Sequence, residues 1–407
     1  MHCGLLGNHL SHSYSPQIHA YFGNYSYTLF DKASDQLGEF LQYGDFTGLN
    51  VTAPYKKAVI PYCSCLSEAA EKLGAVNTII RNADGTLTGH NTDYFGFSYM
   101  LQKTGIDVYG KKVLVLGNGG AAAAVSCALA DEGANTVIIS RNGENNYQNL
   151  YLHADAKMIV NATPVGMYPN TGTSPIDLSQ FTQLEGVLDI IYNPVRTQLL
   201  MDAEQAGIKT MNGLWMLVAQ AKEASEWFTG NRLPDSIIEE VYKDLSRQLT
   251  NIVLIGMPGC GKSTIGKILA KNTGKKFVDS DEQIIHLASK SIEEIFHDNG
   301  QNYFRQLETE ILRKYGKESG LVIATGGGCV TREENYPLLH QNGKIVWLQR
   351  NIKDLPTAGR PLSMQYSAEE IYSAREALYQ AFADQIIYND STPEQVAAAI
   401  AAMEAIV

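Results

Sequence analysis

The stretch Gly256-Met257-Pro258-Gly259-Cys260-Gly261-Lys262-Ser263 stands between an apolar run, 252–255, and a helix-forming segment. It matches the pattern G-x-x-x-x-G-K-[ST], in which backbone N–H groups surround phosphate oxygens and the next helix adds its positive end. The lysine of this pattern reaches the β- and γ-phosphates, and the hydroxyl holds Mg²⁺. The sequence therefore predicts a site for ATP and Mg²⁺. Its predicted residues are Gly256, Gly259, Gly261, Lys262, Ser263 and Thr264.

The chain around this loop is too long for one hydrophobic core. It has 407 residues, whereas single cores rarely grow beyond about 250–300 residues. Its net charge of -11 excludes the basic footprint of a nucleic-acid binder. No apolar stretch reaches the ~20 residues that span a bilayer, and the N-terminus has no signal-peptide pattern. Six scattered cysteines do not resemble a secreted disulfide framework. We expect a cytoplasmic protein acting on small molecules, without nucleic-acid or membrane partners. Composition leaves the oligomeric state open.

A second glycine loop lies in the first half of the chain. The strand-like run VLVL meets Gly117-Asn118-Gly119-Gly120, a helix-forming alanine segment and the strand-like TVIIS, which together predict one βαβ unit. Sites for NAD usually have Asp or Glu after the second strand, to hold the ribose. Here the residues are Ser140, Arg141 and Asn142, and an arginine suits the 2′-phosphate of NADP. We predict NADPH/NADP⁺ as cofactor, bound by Gly117, Gly119, Gly120 and these three residues. The alternative is that Arg141 is a solvent-facing loop residue.

Six segments of the first half stand out, and the first four of them offer hydroxyl, amide, lysine or carboxylate groups that suit a polyhydroxylated ring. They are Ser13-Tyr14-Ser15-Pro16, 50–56, 74–78, 91–93, 161–167 and 213–220. Together they closely resemble shikimate dehydrogenase, over about residues 4–230. The resemblance implies that Ser13 and Ser15 bind the substrate carboxylate. It implies that Thr52, Asn77 and Gln220 bind ring hydroxyls. It implies Lys56 and Asp93 as the catalytic pair, and leaves open which of them transfers the proton.

Downstream of the glycine loop 256–263 there are five short motifs, each of which is a weak signal by itself. They are Asp279-Ser280-Asp281, Phe304-Arg305-x-x-Glu308, Gly326-Gly327-Gly328, Arg360-Pro361-Leu362 and Arg375-x-x-x-Tyr379. In this order and spacing they resemble shikimate kinase over about residues 250–407. The resemblance implies that Asp279 sits near Mg²⁺ and that Asp281 binds or activates the substrate hydroxyl. It implies that Arg305 and Arg375 clamp the carboxylate. Gly326, Gly327 and Gly328 would approach the ring, and Arg360, on a lid, would neutralise charge on the transferring phosphoryl group.

The sequence departs from both families at a few positions. Gln301 stands where shikimate kinases usually have Glu, and Ala377 where proline is common. Arg360 is the only arginine of a short lid, 354–363. In the first half, His9 replaces a usual proline and Ala20 a usual Asn. The kinase departures touch lid and support positions, so they bear on turnover rate more than on the type of reaction.

The resemblances imply an α/β protein of three domains. Residues 1–98, joined by a helix over 213–247, would bind the dehydrogenase substrate, 99–212 would form a Rossmann-type NADP domain, and 250–407 a P-loop domain like the nucleoside monophosphate kinases. The leading interpretation is a bifunctional enzyme that reduces 3-dehydroshikimate with NADPH and then phosphorylates shikimate with ATP. The alternatives are a ligand-sensing regulatory protein, or a chain in which only one half is active. Quinate use, channelling of the intermediate and domain orientation stay open.

Overall fold

A computed structural model describes residues 1–8, 10, 13–355 and 367–403. The chain forms two compact units. Unit 1 comprises residues 1–165, 174–192 and 202–243, and unit 2 comprises 166–173, 193–201 and 244–407. Two short segments that we expected in the NADP domain, 166–173 and 193–201, thus belong to unit 2. The division does not separate the two lobes expected within the dehydrogenase, so those limits stay a prediction.

The strands and helices alternate along most of the chain. The strands are β1 His2–Gly7, β2 Ser26–Asp31, β3 Gly48–Val51, β4 Cys65–Leu66, β5 Thr78–Arg81, β6 Leu87–His90, β7 Lys112–Leu116, β8 Asn135–Ile139, β9 Met158–Asn161, β10 Gly186–Asp189, β11 Lys209–Met211, β12 Asn251–Ile255, β13 Lys276–Asp279, β14 Leu321–Ala324, β15 Gly343–Gln349 and β16 Gln385–Tyr388. The helices are α1 Ser15–His19, α2 Leu37–Tyr43, α3 Glu68–Leu73, α4 Asp93–Thr104, α5 Gly120–Asp131, α6 Gln198–Gln205, α7 Leu214–Thr229, α8 Ser236–Leu249, α9 Lys262–Thr273, α10 Ser280–Ala288, α11 Ile292–Gly316, α12 Asn335–His340, α13 Ala368–Phe382 and α14 Pro393–Met403.

Unit 1 contains two sheets. The first has the order β2-β1-β3-β5-β6-β4 and is mixed, because β5 runs antiparallel to both β3 and β6. The second has the order β11-β10-β9-β7-β8 and is wholly parallel. Central strands of a parallel sheet are covered on both faces, which explains why β7 and β9 are almost continuously apolar and buried. The parallel sheet has the Rossmann-type arrangement that the VLVL–glycine–TVIIS pattern predicted.

Unit 2 is built on one parallel sheet of order β13-β14-β12-β15-β16. The glycine loop 256–263 follows the central strand β12, whose five residues are all buried. β12 has β14 on one side and β15 on the other. Where the strand order changes direction in this way, a crevice forms beyond the carboxyl ends of the strands, and ligands of parallel sheets bind there. The predicted α/β fold class is confirmed.

One helix prediction was wrong, and one long helix is interrupted. The region 213–247 is two helices, since α7 ends where Gly230 adopts φ 70° and its N–H caps Glu226 O, and α8 starts at Ser236. The last helix, α14, starts at Pro393 and is described to Met403. Gly300, with φ 79°, interrupts α11.

Candidate active sites

The centre of the unit 1 site is an ion pair. Lys56 Nζ donates to Asp93 Oδ2 at 2.6 Å. The Asp93 side chain is 3 % exposed and that of Lys56 20 %. Asp93 is the first residue of α4, where the positive helix end favours a carboxylate, and its backbone N–H donates to Asn91 Oδ1 at 3.0 Å. The two predicted catalytic residues, 37 positions apart, therefore form one unit with the lysine as its more exposed member.

A cluster of amide and hydroxyl groups lies beside the N-terminus of α4. Asn77 Nδ2 donates to Thr92 Oγ1 at 3.1 Å and to Gln220 Oε1 at 3.3 Å. The Thr92 N–H returns a bond to Asn77 Oδ1 at 2.8 Å. Gln220 reaches the cluster because α7 packs closely on α4, where a Cβ at Gly96 would lie 2.7 Å from Met216 O. The structure thus brings Asn77 and Gln220 together beside the helix that starts with Asp93.

The two predicted carboxylate-binding serines also lie together. Ser13 Oγ donates to Ser15 Oγ at 3.1 Å, and the Ser15 N–H donates to Ser13 Oγ at 3.2 Å. The ring between them, Tyr14, packs edge-on against Tyr192 at 5.9 Å. Thr52 directly follows β3 and its N–H donates to Leu6 O at 3.0 Å. His9 lies outside the described residues, and Ala20 is the exposed C-cap of α1.

A buried polar network beneath these residues was missed from the sequence. Tyr27 OH donates to Asn50 Oδ1 at 2.7 Å and also bonds Ser15. Asn50 Nδ2 continues to Thr78 Oγ1 at 3.3 Å, which in turn donates to Asn77 Oδ1 at 3.1 Å. The network therefore connects Ser15 to Asn77. Asn50 stood in a quoted segment, but Tyr27 gave no local signal, because only the pairing of β1 with β2 and β3 brings it there.

The base of this network is apolar and holds a neutral histidine. His19 stacks on Tyr27 with ring centroids 4.1 Å apart, and its Nδ1 is 2.7 Å from Tyr25 OH. Burial lowers the pKa of His19 to about 3. The ring stays uncharged at neutral pH and acts as a rigid support for Tyr27.

The predicted cofactor loop lies at the start of α5. Gly117 has φ 110°, and a Cβ there would lie 3.0 Å from Ala162 O, so the turn needs glycine. Gly120 is the first residue of α5, and a Cβ on it would lie 3.6 Å from Lys56 Cδ. The glycine loop thus reaches the catalytic pair. After β8, Ser140 is half-buried while Arg141 and Asn142 are exposed. An accessible arginine with a helix N-terminus nearby fits a phosphate-bearing dinucleotide.

The P-loop of unit 2 has the backbone that its glycines predicted. Gly256, Gly259 and Gly261 have φ of 139°, 86° and 99°. Lys262 Nζ is buried against the loop and donates to Gly256 O at 2.8 Å and Met257 O at 3.0 Å. Ser263 Oγ donates to Asp279 Oδ2 at 2.5 Å. A hydroxyl and one carboxylate side by side, at the mouth of a phosphate-binding loop, fit a Mg²⁺ that keeps several waters and phosphate oxygens as its other ligands.

The P-loop opens into a cavity of about 900 Å³. Most of the predicted kinase residues line it. They are Gly259, Gly261, Lys262, Ser263, Thr264, Asp279, Asp281, Arg305, Gly326, Gly327, Gly328 and Arg375. Arg350, for which we predicted no role, lines it too. Arg360 lies outside the described residues. Gln301 and Ala377 are both exposed, in keeping with support positions.

The glycine segment holds the two arginines. A Cβ at Gly328 would lie 1.9 Å from Arg305 Nη2, so a side chain there would displace the guanidinium. Arg375 Nη1 donates to Gly327 O at 3.0 Å, and Tyr379 OH donates to the same oxygen. Tyr379 was quoted as part of a motif but not assigned a role. Arg305 Nη1 donates to Glu308 Oε2 at 2.5 Å, one turn along α11. Paired guanidinium groups beside a P-loop suit an anionic acceptor substrate.

Among the described residues, no helix is long and apolar enough to cross a membrane. The same residues contain no group of three or more His, Cys, Asp or Glu side chains that could hold a metal ion. The site at Ser263 and Asp279 has only one carboxylate, so it would rely on phosphate oxygens.

Two family models match the chain. Residues 5–79 match the shikimate dehydrogenase substrate-binding domain, and residues 258–404 match shikimate kinase. The chain is 36% identical over 264 residues to the NADP(+) shikimate dehydrogenase of Clostridium perfringens strain SM101, covering 60% of this chain and 97% of that protein. It is 39% identical over 270 residues to the corresponding enzyme of Methanopyrus kandleri, covering 58% of this chain and 93% of that protein.

Solved structures that include shikimate dehydrogenase also align with this chain. A chorismate mutase/shikimate 5-dehydrogenase fusion protein from Clostridium acetobutylicum aligns with TM-score 0.57 and 36% identity, covering 60% of this chain and 96% of that one. Shikimate 5-dehydrogenase of Thermus thermophilus, in complex with NADP(H) and shikimate, aligns with TM-score 0.55 and 31% identity, covering 60% of this chain and 99% of that one. The chain belongs to the shikimate dehydrogenase family through its N-terminal part and carries a shikimate kinase domain behind it.

Proposed function

We propose that the chain is a bifunctional shikimate-pathway enzyme. Its first half reduces 3-dehydroshikimate to shikimate with NADPH, and its second phosphorylates shikimate to shikimate 3-phosphate with ATP and Mg²⁺. The observation that carries the proposal is that each half brings several of its predicted reactive groups together. Lys56 and Asp93 meet beside a dinucleotide loop, and Lys262 and Asp281 line one cavity with two arginines. A ligand sensor would not need these reactive groups, which favours the enzyme over the regulatory alternative.

In the reductase, Ser13 and Ser15 bind the substrate carboxylate, and Thr52, Asn77 and Gln220 orient the ring. The cofactor supplies a hydride to the keto carbon, so the keto oxygen must gain a proton. Lys56 is the more exposed member of the pair, and we assign it as the proton donor. Asp93 holds the ammonium group in place. Arg141 confers the preference for NADPH by pairing with the 2′-phosphate.

In the kinase, Arg305 and Arg375 pair with the carboxylate of shikimate, and the segment 326–328 lies against the ring. Asp281 accepts the proton of the attacking hydroxyl. Lys262 stabilises the negative charge of the transferring phosphoryl group, and Arg360 contributes a second positive charge. Ser263 and Asp279 would hold Mg²⁺, which would neutralise charge on the phosphates.

We keep the domain limits 1–98, 99–212 and 250–407 as part of this proposal, together with a cytoplasmic location and the absence of nucleic-acid and membrane partners. The function is tested by incubating the purified chain with 3-dehydroshikimate, NADPH, ATP and Mg²⁺. Shikimate 3-phosphate should form, and its formation should need both NADPH and ATP. Failure to oxidise NADPH, or to consume ATP once shikimate is supplied, would show that one half is inactive.

A further inference from the structure

Glu308 lies against the glycine segment 326–328 of the kinase cavity. Among the described residues, only one of its two carboxylate oxygens has a hydrogen-bond partner. Its side chain is fully buried, and Oε2 accepts from Arg305 at 2.5 Å. Within the described part of the chain, Oε1 has no hydrogen-bond partner. A Cβ at Gly326 would lie 2.5 Å from this oxygen, so Oε1 lies directly against a residue that lines the cavity. Buried carboxylate oxygens rarely lack a partner, and a bound proton relieves such an oxygen of its charge.

The charges that face Glu308 come from four elements and nearly cancel. Arg305 shares α11 with it, Asp281 faces it from α10, and Arg375 from α13. Cys329 faces it from the turn after β14, and burial raises the pKa of that thiol to about 12, so the thiol stays neutral. Two guanidinium groups thus balance two carboxylates. Burial raises the pKa of Glu308 to about 7, although both arginines oppose this shift.

A substrate carboxylate adds a third negative charge to this balanced and desolvated cluster. Arg305 would then serve two carboxylates, Glu308 and the substrate. An uncompensated charge at a buried site costs several kcal/mol, and titratable groups avoid that cost by neutralising. Of the two protein carboxylates, Glu308 is the more deeply buried, since Asp281 lines the cavity and Glu308 does not.

We propose that Glu308 takes up a proton from solvent when a carboxylate substrate pairs with Arg305, so that substrate binding and protonation of Glu308 are one coupled step. The proton comes from water or buffer and resides on Oε1, and no covalent bond is made or broken in the substrate. Arg305 is then released from its internal partner and pairs fully with the substrate. This inference rests on the proposed role of Arg305 and Arg375 as the carboxylate clamp.

This coupling determines how the affinity for the carboxylate substrate changes with pH. Below pH 7 Glu308 already holds its proton in the free protein, so affinity does not change with pH. Above pH 7 the proton must be taken up on binding, so affinity falls by up to about tenfold per pH unit. The fall ends at the higher pKa that Glu308 has in the complex.

The kinase reaction of the full chain tests this without interference from the reductase if NADP(H) is left out. The KM for shikimate should be flat from about pH 6 to about pH 7 and rise up to about tenfold over the next unit. Glu308→Gln keeps an amide oxygen for Arg305 but cannot titrate, so its KM should not rise. Glu310→Gln, at an exposed position on the same helix, should keep the rise. A flat profile in the unmodified chain, or a rise retained in Glu308→Gln, would overturn the proposal.

Calorimetry measures the proton itself. Shikimate is titrated at about pH 8 into Glu310→Gln and Glu308→Gln, in two buffers of different ionisation enthalpy. Binding to the reductase site is common to both variants and cancels in the difference, which should show about one proton taken up per kinase site. Equal proton uptake by the two variants would contradict the proposal. Should Glu308→Gln fail to fold, the pH profile of the unmodified chain still decides. Absence of any kinase activity with shikimate would instead refute the proposed function.

Discussion

Lys56 and Asp93 form an ion pair of 2.6 Å between a turn and the N-terminus of α4. Because each side chain depends on the other, removing either member should damage the same step. Lys56→Ala removes the proton donor, and Asp93→Ala leaves the lysine unheld. General acid–base groups contribute about 10²–10⁴-fold to rate.

Each substitution should therefore lower NADPH oxidation with 3-dehydroshikimate by about 10²-fold or more. ATP consumption with shikimate should be unchanged, measured on the same preparation. Lys57→Ala is the matched control, since Lys57 is adjacent and exposed, and it should keep full reductase activity. Full activity in either member of the pair would rule out the assigned dyad.

Lys262→Ala should remove the kinase activity alone. Its Nζ is held against the P-loop backbone by two carbonyl oxygens, at the position from which it meets the nucleotide phosphates. Lys267→Ala, with a largely exposed side chain on the same helix, should have little effect. Phosphorylation of shikimate and oxidation of NADPH are measured separately. Loss of both activities in Lys262→Ala would mean that the two halves are not independent.

Arg141→Ala tests the cofactor assignment. The exposed guanidinium after β8 should pair with the 2′-phosphate that NADPH has and NADH lacks. The KM for NADPH should rise by about tenfold or more, as expected for loss of one charge-assisted contact. NADH in the same variant is the internal control and should be almost unaffected. An equal effect on both cofactors would contradict the assignment.

Tyr27→Phe removes one hydroxyl from the network that joins Ser15 to Asn77. Asn50 then loses a buried partner, which costs about 1–3 kcal/mol. Because Tyr27 acts through the substrate-binding groups, we expect the KM for 3-dehydroshikimate to rise more than kcat falls. Tyr43→Phe, at a residue 75% exposed, should change neither. A loss of thermal stability with unchanged KM would limit Tyr27 to a structural role.

Gly328→Ala tests the arginine clamp. The added Cβ would occupy the place of the Arg305 guanidinium, which is buried and tied to Glu308 and so cannot move freely. The KM for shikimate in the kinase reaction should rise by about tenfold or more, in line with loss of a charged hydrogen bond. Reductase activity of the same variant is the control. An unchanged KM would place the carboxylate elsewhere in the cavity.

The sequence was most informative where chemistry depends on neighbours along the chain. The P-loop and the glycine loop before α5 each combine strand, turn and helix start in one segment, so both were predictable from pattern. Roles within the two sites came instead from resemblance. Tyr27 was not predicted because strand pairing brings it to the site from a distant segment. Tyr379 stood in a quoted motif, but its bond to Gly327 O depends on helix packing and gave it no predicted role. Within the described part of the chain, Glu308 Oε1 is buried without a hydrogen-bond partner. This could not be predicted either, since burial depends on the whole fold.

The central claim is that one chain carries out two successive reactions. The most direct test follows NADPH oxidation and ADP formation together in the purified chain, starting from 3-dehydroshikimate, ATP and Mg²⁺. We predict that ADP appears only after NADPH is added, and that its yield approaches one equivalent per NADPH oxidised, with shikimate 3-phosphate as product. NADPH oxidation that leaves shikimate unphosphorylated, or no oxidation at all, would contradict the claim.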